Sequence, residues 1–320
     1  MNIHRRMKKN KFIGCLILLG LIMGGCQNVQ QINGENVVLD ETLGEEKIEE
    51  PTAPVASEEE TLTEESAQEQ VTWENYPWEM KPGQLTMENY LVTAFSPVGQ
   101  TMYIWGGGWN EEDTGAGVDA TTLGLSPVWA EFASKQTAEY DYHDYKYEIH
   151  KGLDCSGYVG WLIYNLMETE DGKDGYVMKS SLMAEEFAKK GWGTYTPAEK
   201  VSDWQLGDIM SMKGHVWISL GTMEDGSVLI LHSSVVGVIV CGTSLPEGED
   251  SQAVRLARQF MSTCYPDWYE KFPDCSRPYS YLSGSGQFRW DENVLQDEWD
   301  LKGYSAEDMM LSLQKKLLAK

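Results

Sequence analysis

Among the features of this sequence, the abrupt change in composition near residue 72 places the strongest limit on the fold. All twelve tryptophans lie between Trp73 and Trp299, whereas residues 27–72 hold 13 acids, one lysine and no aromatic residue. An acidic segment of that kind buries too little apolar surface to offset the entropy lost when its backbone is ordered. We therefore predict a disordered acidic tether over residues 26–72 and one folded domain, with insertions, over residues 73–320.

Residues 1–26 show the pattern of an export signal. A basic start precedes an apolar run over residues 12–23, and that run ends in "LIMGGC". The run is too short to span a bilayer comfortably. A short apolar stretch followed by small residues is typical of a secretory signal. The basic residues are Arg5, Arg6, Lys8, Lys9 and Lys11.

The cysteine that closes this segment resembles the last position of the lipobox of bacterial lipoproteins, although Met23 stands where leucine is commoner. The resemblance implies a signal peptide over residues 1–25 and a lipid on Cys26, which would become the new N-terminus. The chain would then be exported and lipid-anchored, at the outer face of the cytoplasmic membrane or facing the periplasm. An ordinary signal peptide cut near Gly25, or an uncleaved anchor, would leave the same pattern.

The net charge restricts the partners of the domain. The formal charge of −25 includes +5 from the basic start and −12 from the acidic segment, which leaves −18 on residues 73–320. A surface this acidic argues against nucleic acid or an anionic membrane surface as the partner. Any contact with a membrane is therefore expected through the N-terminal lipid only.

Residue periodicity and capping signals indicate an α+β fold, with helices packed on an antiparallel sheet. Residues 108–150 form an aromatic-rich insertion to which the pattern assigns no regular structure. The expected elements are a helix over 86–95 capped by Thr86, a short strand over 101–108, helices over 155–168 and 180–191, strands over 208–212, 215–220, 228–232 and 235–240, and a closing helix capped by Ser305.

The stretch "GLDCSGYVGW" places Cys155 where a helix is expected to begin. Asp154 occupies the N-cap position, and the amide groups of a helix start favour a thiolate and lower the thiol pKa. Three roles are open for Cys155: half of a disulfide, a small buried side chain, or a nucleophile. A nucleophilic cysteine also needs a base, usually histidine, and a group that orients it.

Two of the five histidines meet that requirement through their places on a predicted hairpin. His215 begins one strand, His232 ends the next, and Asp225-Gly226 between them is typical of a hairpin turn. A turn centred near 223–224 would pair 215 with 232, whereas a turn at Asp225-Gly226 would set 232 opposite 219. Either register puts both imidazoles on the same sheet face. A pair of surface histidines would show the same spacing.

Four stretches resemble, in order and style, the NlpC family of cell-wall cysteine peptidases, which have a papain-like fold: "YIWGGG", "GLDCSGYVGWLIYN", "LGDIMSMKGHVWISLG" and "LILHSS…GV". The resemblance covers roughly residues 85–107 and 152–240. It implies that Cys155 is the nucleophile, that His215 is the general base and that His232 orients His215.

The same resemblance implies that Tyr103, Asp154 and Ser156 border the substrate site, where these positions help to hold the amino end of a stem peptide. The Cys155 backbone amide and the Tyr103 hydroxyl would form an oxyanion hole.

The activity that this resemblance implies is hydrolysis of peptidoglycan. A membrane-anchored enzyme would cleave a stem-peptide amide bond, D-glutamyl-γ-diamino acid, by thiol acyl transfer. No cofactor or metal is expected, the partners are stem peptides, and the domain is expected to be a monomer. Two alternatives remain: a wall amidase or acyltransferase on the same scaffold, and a catalytically silent lipoprotein that binds wall peptides.

Two segments depart from the family pattern. The insertion over residues 108–150 either caps the substrate groove or adds a separate hydrophobic layer. The extension over residues 244–320 lies beyond the usual core. Cys264 and Cys275 lie close enough in sequence to pair in an exported chain, and Cys241 is expected to be buried and free.

Overall fold

A computed structural model of the chain describes residues 72–168, 174–248 and 250–320. The predicted signal peptide, Cys26 and all but the last residue of the predicted tether lie outside these ranges. The described residues form an α+β fold with one seven-stranded sheet. No helix within them is both long enough and apolar enough to cross a membrane.

The helices lie before, within and after the sheet in sequence. They are α1 Met87–Phe95, α2 Pro127–Ser134, α3 Cys155–Met167, α4 Met183–Lys189, α5 Gln252–Cys264, α6 Pro266–Lys271, α7 Ser280–Gly284 and α8 Ala306–Leu318. The strands are β1 Gly193–Thr196, β2 Ile209–Met212, β3 His215–Thr222, β4 Val228–Ser234, β5 Gly237–Thr243, β6 Ser276–Arg277 and β7 Gly286–Trp290.

The strands follow the order β1-β7-β2-β3-β4-β5-β6 across the sheet. Every neighbouring pair is antiparallel except β5 and β6, which run parallel. The prediction of a purely antiparallel sheet is therefore wrong at one edge. The reason is that α5 and α6 connect β5 to β6, and a helical crossover lets the chain return in the same direction.

The predicted caps are confirmed for α1 and α8, whereas the helix predicted over 180–191 begins as a 3-10 turn, continues as α4 and has no side-chain cap. Thr86 accepts a hydrogen bond from the Asn89 N–H at the start of α1, and Ser305 accepts one from the Asp308 N–H at the start of α8. Helix α3 is buried over almost its whole length and packs on α1, β3 and β4. The Tyr158 hydroxyl donates to the Ala94 carbonyl at 2.7 Å, which fixes α3 to α1.

The predicted strand over 101–108 is wrong. This segment makes one isolated bridge, between Met102 and Gly152, and then turns through Gly106 and Gly108, whose φ angles are +85° and +90°. Side chains rarely adopt such angles, so the glycines end the strand. The turn lies against α3 so closely that a Cβ on Gly157 would lie 2.0 Å from the Gly107 carbonyl oxygen.

Strand β7 shows that the C-terminal segment is part of the sheet. It lies between β1 and β2 and pairs with both of them, and β1 and β2 do not pair with each other. Arg289 of β7 donates from Nε and Nη2 to the two carboxylate oxygens of the buried Asp208, at 2.9 and 2.7 Å. Such bidentate pairs are among the strongest side-chain contacts. Sequence patterning predicted neither β1, β6 nor β7, because each is short and its partner is distant in sequence.

Candidate active site

Cys155 occupies the first turn of α3, as the sequence predicts. The Asp154 side chain caps the helix by accepting a hydrogen bond from the Gly157 N–H at 2.7 Å. Cys155 is 6% exposed, and the backbone N–H of Val216 lies close enough to the thiol to lower its pKa. Because Val216 follows His215 on β3, this contact brings the start of α3 beside the histidine-bearing strand.

The prediction of a lowered thiol pKa is wrong for the free protein. Burial raises the pKa of Cys155 to about 12, the Asp154 carboxylate adds to the rise, and hydrogen bonds from backbone amides oppose it. A rise of that size corresponds to roughly 4 kcal/mol. A helix terminus typically contributes ~0.3–1 kcal/mol, so burial outweighs it. The resting side chain is a neutral thiol at neutral pH.

His215 and His232 meet on one face of the sheet, as predicted, with 2.8 Å between His215 Nε2 and His232 Nδ1. The register is neither of the two expected. The hairpin closes through a loop over residues 224–226, and a bulge at Leu220 then shifts the pairing, so that Ile218 lies opposite Leu231. Continuing that register puts His232 opposite Trp217, which makes the two histidines diagonal neighbours.

Both imidazoles are neutral in this environment. Burial, with a smaller contribution from the nearby Arg277 guanidinium, lowers the pKa of His215 to about 3 and the pKa of His232 well below its usual range. His232 is fully buried, and its Nε2 has no hydrogen-bond partner among the described residues. His215 is only partly buried.

Two residues of the C-terminal segment join the histidines, and sequence analysis missed both. The Tyr281 ring centroid lies 5.4 Å from that of His215 and 6.1 Å from that of His232. Arg277 of β6 supplies the charge that acts on both imidazoles. No local pattern marks these positions, because β6 and α7 reach the site only through the tertiary fold.

Helix α7 is fixed over the histidines by a chain of contacts. The Trp217 indole N–H donates to Ser285 Oγ at 3.1 Å, and that hydroxyl donates to the Tyr281 carbonyl at 2.8 Å. The rings of Trp217 and Tyr281 also pack together, with centroids 6.2 Å apart. Because Trp217 lies two residues after His215 on β3 and opposite His232, these contacts hold the Tyr281 ring against the pair.

Asp154 and Ser156 form a polar pair beside the thiol. Ser156 Oγ donates to Asp154 Oδ1 at 2.8 Å and accepts from the Trp109 indole N–H at 3.0 Å. Burial raises the pKa of Asp154 to about 6, although the hydrogen bonds from Gly157 and Ser156 oppose the rise. The carboxylate is thus charged at neutral pH and protonates just below it.

Tyr103 also borders the thiol. It is 9% exposed, and its ring packs edge-on against Tyr142 of the insertion, with centroids 5.3 Å apart. Burial raises the pKa of the Tyr103 hydroxyl, and the nearby Cys155 thiol raises it further. The hydroxyl is therefore protonated at neutral pH and can donate a hydrogen bond.

A cleft of about 400 Å³ opens over Cys155, and Tyr103, Asp154 and Ser156 all line it. The insertion contributes Trp109, Asp113 and Tyr147 to the lining. Other insertion residues pack inward instead, as Trp129 does against Trp161. The insertion therefore does not form a separate hydrophobic layer in its described residues: some of them line the cleft, and others join the main hydrophobic core.

The remaining cysteines lie away from the cleft and form no disulfide in the described part of the chain. Cys241 is buried and free, as predicted. Cys264 and Cys275 are both free, so the disulfide that their spacing permits is not made. No group of three or more histidine, cysteine or acidic side chains within the described ranges is arranged to hold a metal ion.

Comparison of the chain with models of protein families, with curated proteins and with solved structures found no match in any of the three.

Proposed function

We propose that this protein is a peptidoglycan hydrolase that cleaves a stem-peptide amide bond by thiol acyl transfer. The observation that carries the proposal is a thiol at the start of α3 that lines an open cleft, on a helix that packs on the two strands whose histidines are hydrogen-bonded to each other. A nucleophile, a base and an orienting group are the parts such chemistry needs. The motif order of the NlpC family supports a papain-like scaffold of the same type.

In the first half of the reaction, the thiol of Cys155 attacks the carbonyl carbon of the scissile amide. The His215–His232 contact uses His215 Nε2, so Nδ1 is the ring nitrogen left to take the thiol proton. The C–N bond then breaks, the proton passes from His215 to the leaving amine, and a thioester joins Cys155 to the acyl group.

In the second half, water attacks the thioester carbonyl and gives its proton to His215. The C–S bond breaks, the carboxylic acid product leaves, and the thiol regains its proton. His232 accepts from His215 Nε2–H in this scheme, which requires a neutral imidazole. The Arg277 charge favours that state by lowering the pKa of His232.

The tetrahedral intermediates carry a negative oxygen that needs donors. The first N–H groups of a helix lack intrahelical partners, so the Cys155 backbone N–H is available for this role. The Tyr103 hydroxyl lines the same cleft and stays protonated. Because the resting thiol and imidazole are both neutral, proton transfer accompanies attack and does not precede it.

The proposal extends to substrate and location. The bond is D-glutamyl-γ-diamino acid, and ionised Asp154 with Ser156 holds the amino end of the stem peptide. The protein is an exported monomer, and a lipid on Cys26 anchors it to the membrane. The resemblance to the lipobox supports this location, and the acidic surface, with −18 on residues 73–320, fits a partner that is neither nucleic acid nor lipid headgroup.

The test is incubation of the purified full-length chain with defined muropeptides in reducing buffer, with products identified by mass spectrometry. Cys155→Ala should abolish cleavage. Cys264→Ala is the matched control, because this half-buried thiol lies outside the cleft, and it should cleave normally. Cleavage that survives Cys155→Ala would refute the mechanism.

The fragment masses also separate the alternatives. Release of an intact stem peptide from its sugar would indicate a wall amidase, and an acyl group found on an added amine would indicate a transferase. Binding of muropeptides without cleavage by either protein would indicate a silent binding lipoprotein.

A further inference from the structure

The charged residues that line the cleft come from separate parts of the chain. The acids, Asp154 and Asp113, belong to the α3 start and to the insertion, whereas Lys179 is the cation among the lining residues. Lys179 is exposed and forms no ion pair with any residue in the described part of the chain. Lys179 and Cys155 thus line the same cleft, in a domain whose formal charge is −18.

The backbone at Lys179 is held in place on the histidine side of the cleft. Lys179 precedes a single 3-10 turn, Ser180–Leu182, that packs on β2 and β3. The Leu182 N–H donates to the Lys179 carbonyl at 2.8 Å, and Ser180 Oγ donates to the Met212 carbonyl at 3.3 Å. Gly214, the residue before His215, lines the same cleft.

The acidic part of the lining is also held by hydrogen bonds. Asp154 caps α3, Ser156 donates to it, and Trp109 of the insertion donates to Ser156. A substrate bound over Cys155 therefore lies in a cleft that presents the carboxylates of Asp154 and Asp113 and the ammonium group of Lys179. A peptide that carries both an ammonium and a carboxylate group complements this arrangement.

We propose that Lys179 binds a free carboxylate of the substrate beside the scissile amide, and so makes the cleft selective for zwitterionic γ-glutamyl peptides over their α-carboxamide forms. The inference rests on the proposed function and adds to it. A glutamyl residue linked through its γ-carboxyl keeps its α-carboxylate a few bonds from the reacting carbonyl. Amidation of that carboxylate removes the charge that Lys179 would pair with.

The experiment compares two synthetic peptides that differ only in the α-carboxylate or α-carboxamide of the γ-linked D-glutamyl residue. The full-length chain is assayed for kcat/KM on each, together with Lys179→Gln and Lys179→Arg. Lys213→Gln is the matched control, since this exposed lysine lies in the β2–β3 turn beside Gly214 and does not line the cleft.

We expect the unmodified chain to prefer the carboxylate peptide by about tenfold. Lys179→Gln should lower kcat/KM for that peptide to about the carboxamide value and leave the carboxamide value unchanged. Lys179→Arg should restore most of the preference, and Lys213→Gln should keep all of it. Equal losses on both peptides in Lys179→Gln, or an undiminished preference, would overturn the inference.

Binding measurements separate this inference from the proposed function. The Cys155→Ala chain, with and without Lys179→Gln, is titrated with both peptides by calorimetry. A Lys179-dependent carboxylate preference in these titrations supports the inference, and hydrolysis is refuted separately if the unmodified chain cleaves neither peptide. Cleavage of both peptides with no Lys179-dependent preference refutes the inference and leaves hydrolysis standing.

Discussion

At the scale of single residues, burial sets the chemistry of the candidate site. Cys155, His215 and His232 are all driven to their neutral forms, whereas Asp154 is left with a pKa of about 6. Of these four groups, Asp154 alone changes charge near neutral pH. A pH dependence of substrate capture should therefore report Asp154 and not the base.

We predict that kcat/KM falls as the pH drops below about 6, because protonated Asp154 no longer attracts the amino end of the peptide. Asp154→Asn should remove this acid limb and lower kcat/KM at pH 7 by about tenfold or more. The cap survives the change, since asparagine caps helices as well as aspartate does. The measurement is the pH profile of kcat/KM.

Asp113→Asn provides the comparison, because it removes the other acid that lines the cleft. Its profile should keep the limb near pH 6. If the fall in kcat/KM near pH 6 persists in Asp154→Asn and disappears in Asp113→Asn, the group responsible for it belongs to the insertion.

At the scale of elements, α7 is the part of the site that lies outside the family resemblance. It reaches the histidines through the Trp217–Ser285 hydrogen bond and the ring contacts of Tyr281. These contacts restrict the rotation of the His215 ring. A base that can turn away from the thiol spends less time in the reactive geometry.

We predict that Tyr281→Leu lowers kcat by about tenfold with little change in KM, because the ring that holds His215 is lost. Tyr281→Phe keeps the ring and should retain most of the activity. Tyr279→Leu is the matched control: Tyr279 is 41% exposed and adjoins the same helix. Steady-state kinetics on one muropeptide, at the pH optimum of each variant, measure the effect.

Equal losses in the leucine and phenylalanine variants would show that the hydroxyl matters and not the packing. A change confined to KM would place Tyr281 in substrate binding.

The elements that could be predicted from sequence are those marked by local signals. Capping residues located α1, α3 and α8, and alternation with turn chemistry located β2 to β5. The thiol and the histidine pair followed from the same signals, because helix starts and hairpins bring fixed positions together. Tyr281, Arg277 and β7 carry no such signal, since each acquires its neighbours only after the chain has folded back over a long separation.

At the scale of the whole molecule, the buried histidines make stability depend on pH. The folded pKa of His215 is about 3, below its ordinary value of 6.5. The unfolded chain therefore binds more protons between those values, and stability is lost as the pH falls through that window. Asp154 has the opposite effect. Because its pKa in the folded chain is about 6, above the ordinary 3.8, the folded chain binds more protons at this group, and the free energy of unfolding rises as the pH falls between those values.

The free energy of unfolding of the unmodified chain should fall between pH 7.5 and pH 5. We predict that in His215→Gln this fall is smaller by on the order of 2 kcal/mol. Denaturant unfolding at each pH, followed by fluorescence, measures the difference. His143→Gln is the control, because this exposed histidine lies on the surface of the insertion, and it should follow the unmodified chain. Identical pH slopes in the His215 variant and the unmodified chain would contradict the lowered pKa.

The position of β7 also has a consequence for the order in which the molecule forms. Gly193 of β1 pairs with Trp290, and β7 separates β1 from β2. A chain emerging from the ribosome thus holds Cys155 and both histidines long before it holds the strand that joins the two parts of its sheet. Contacts so distant in sequence form late and slowly. The thiol therefore remains outside a completed site until almost the entire domain has been synthesised, so biosynthesis itself delays the onset of any activity.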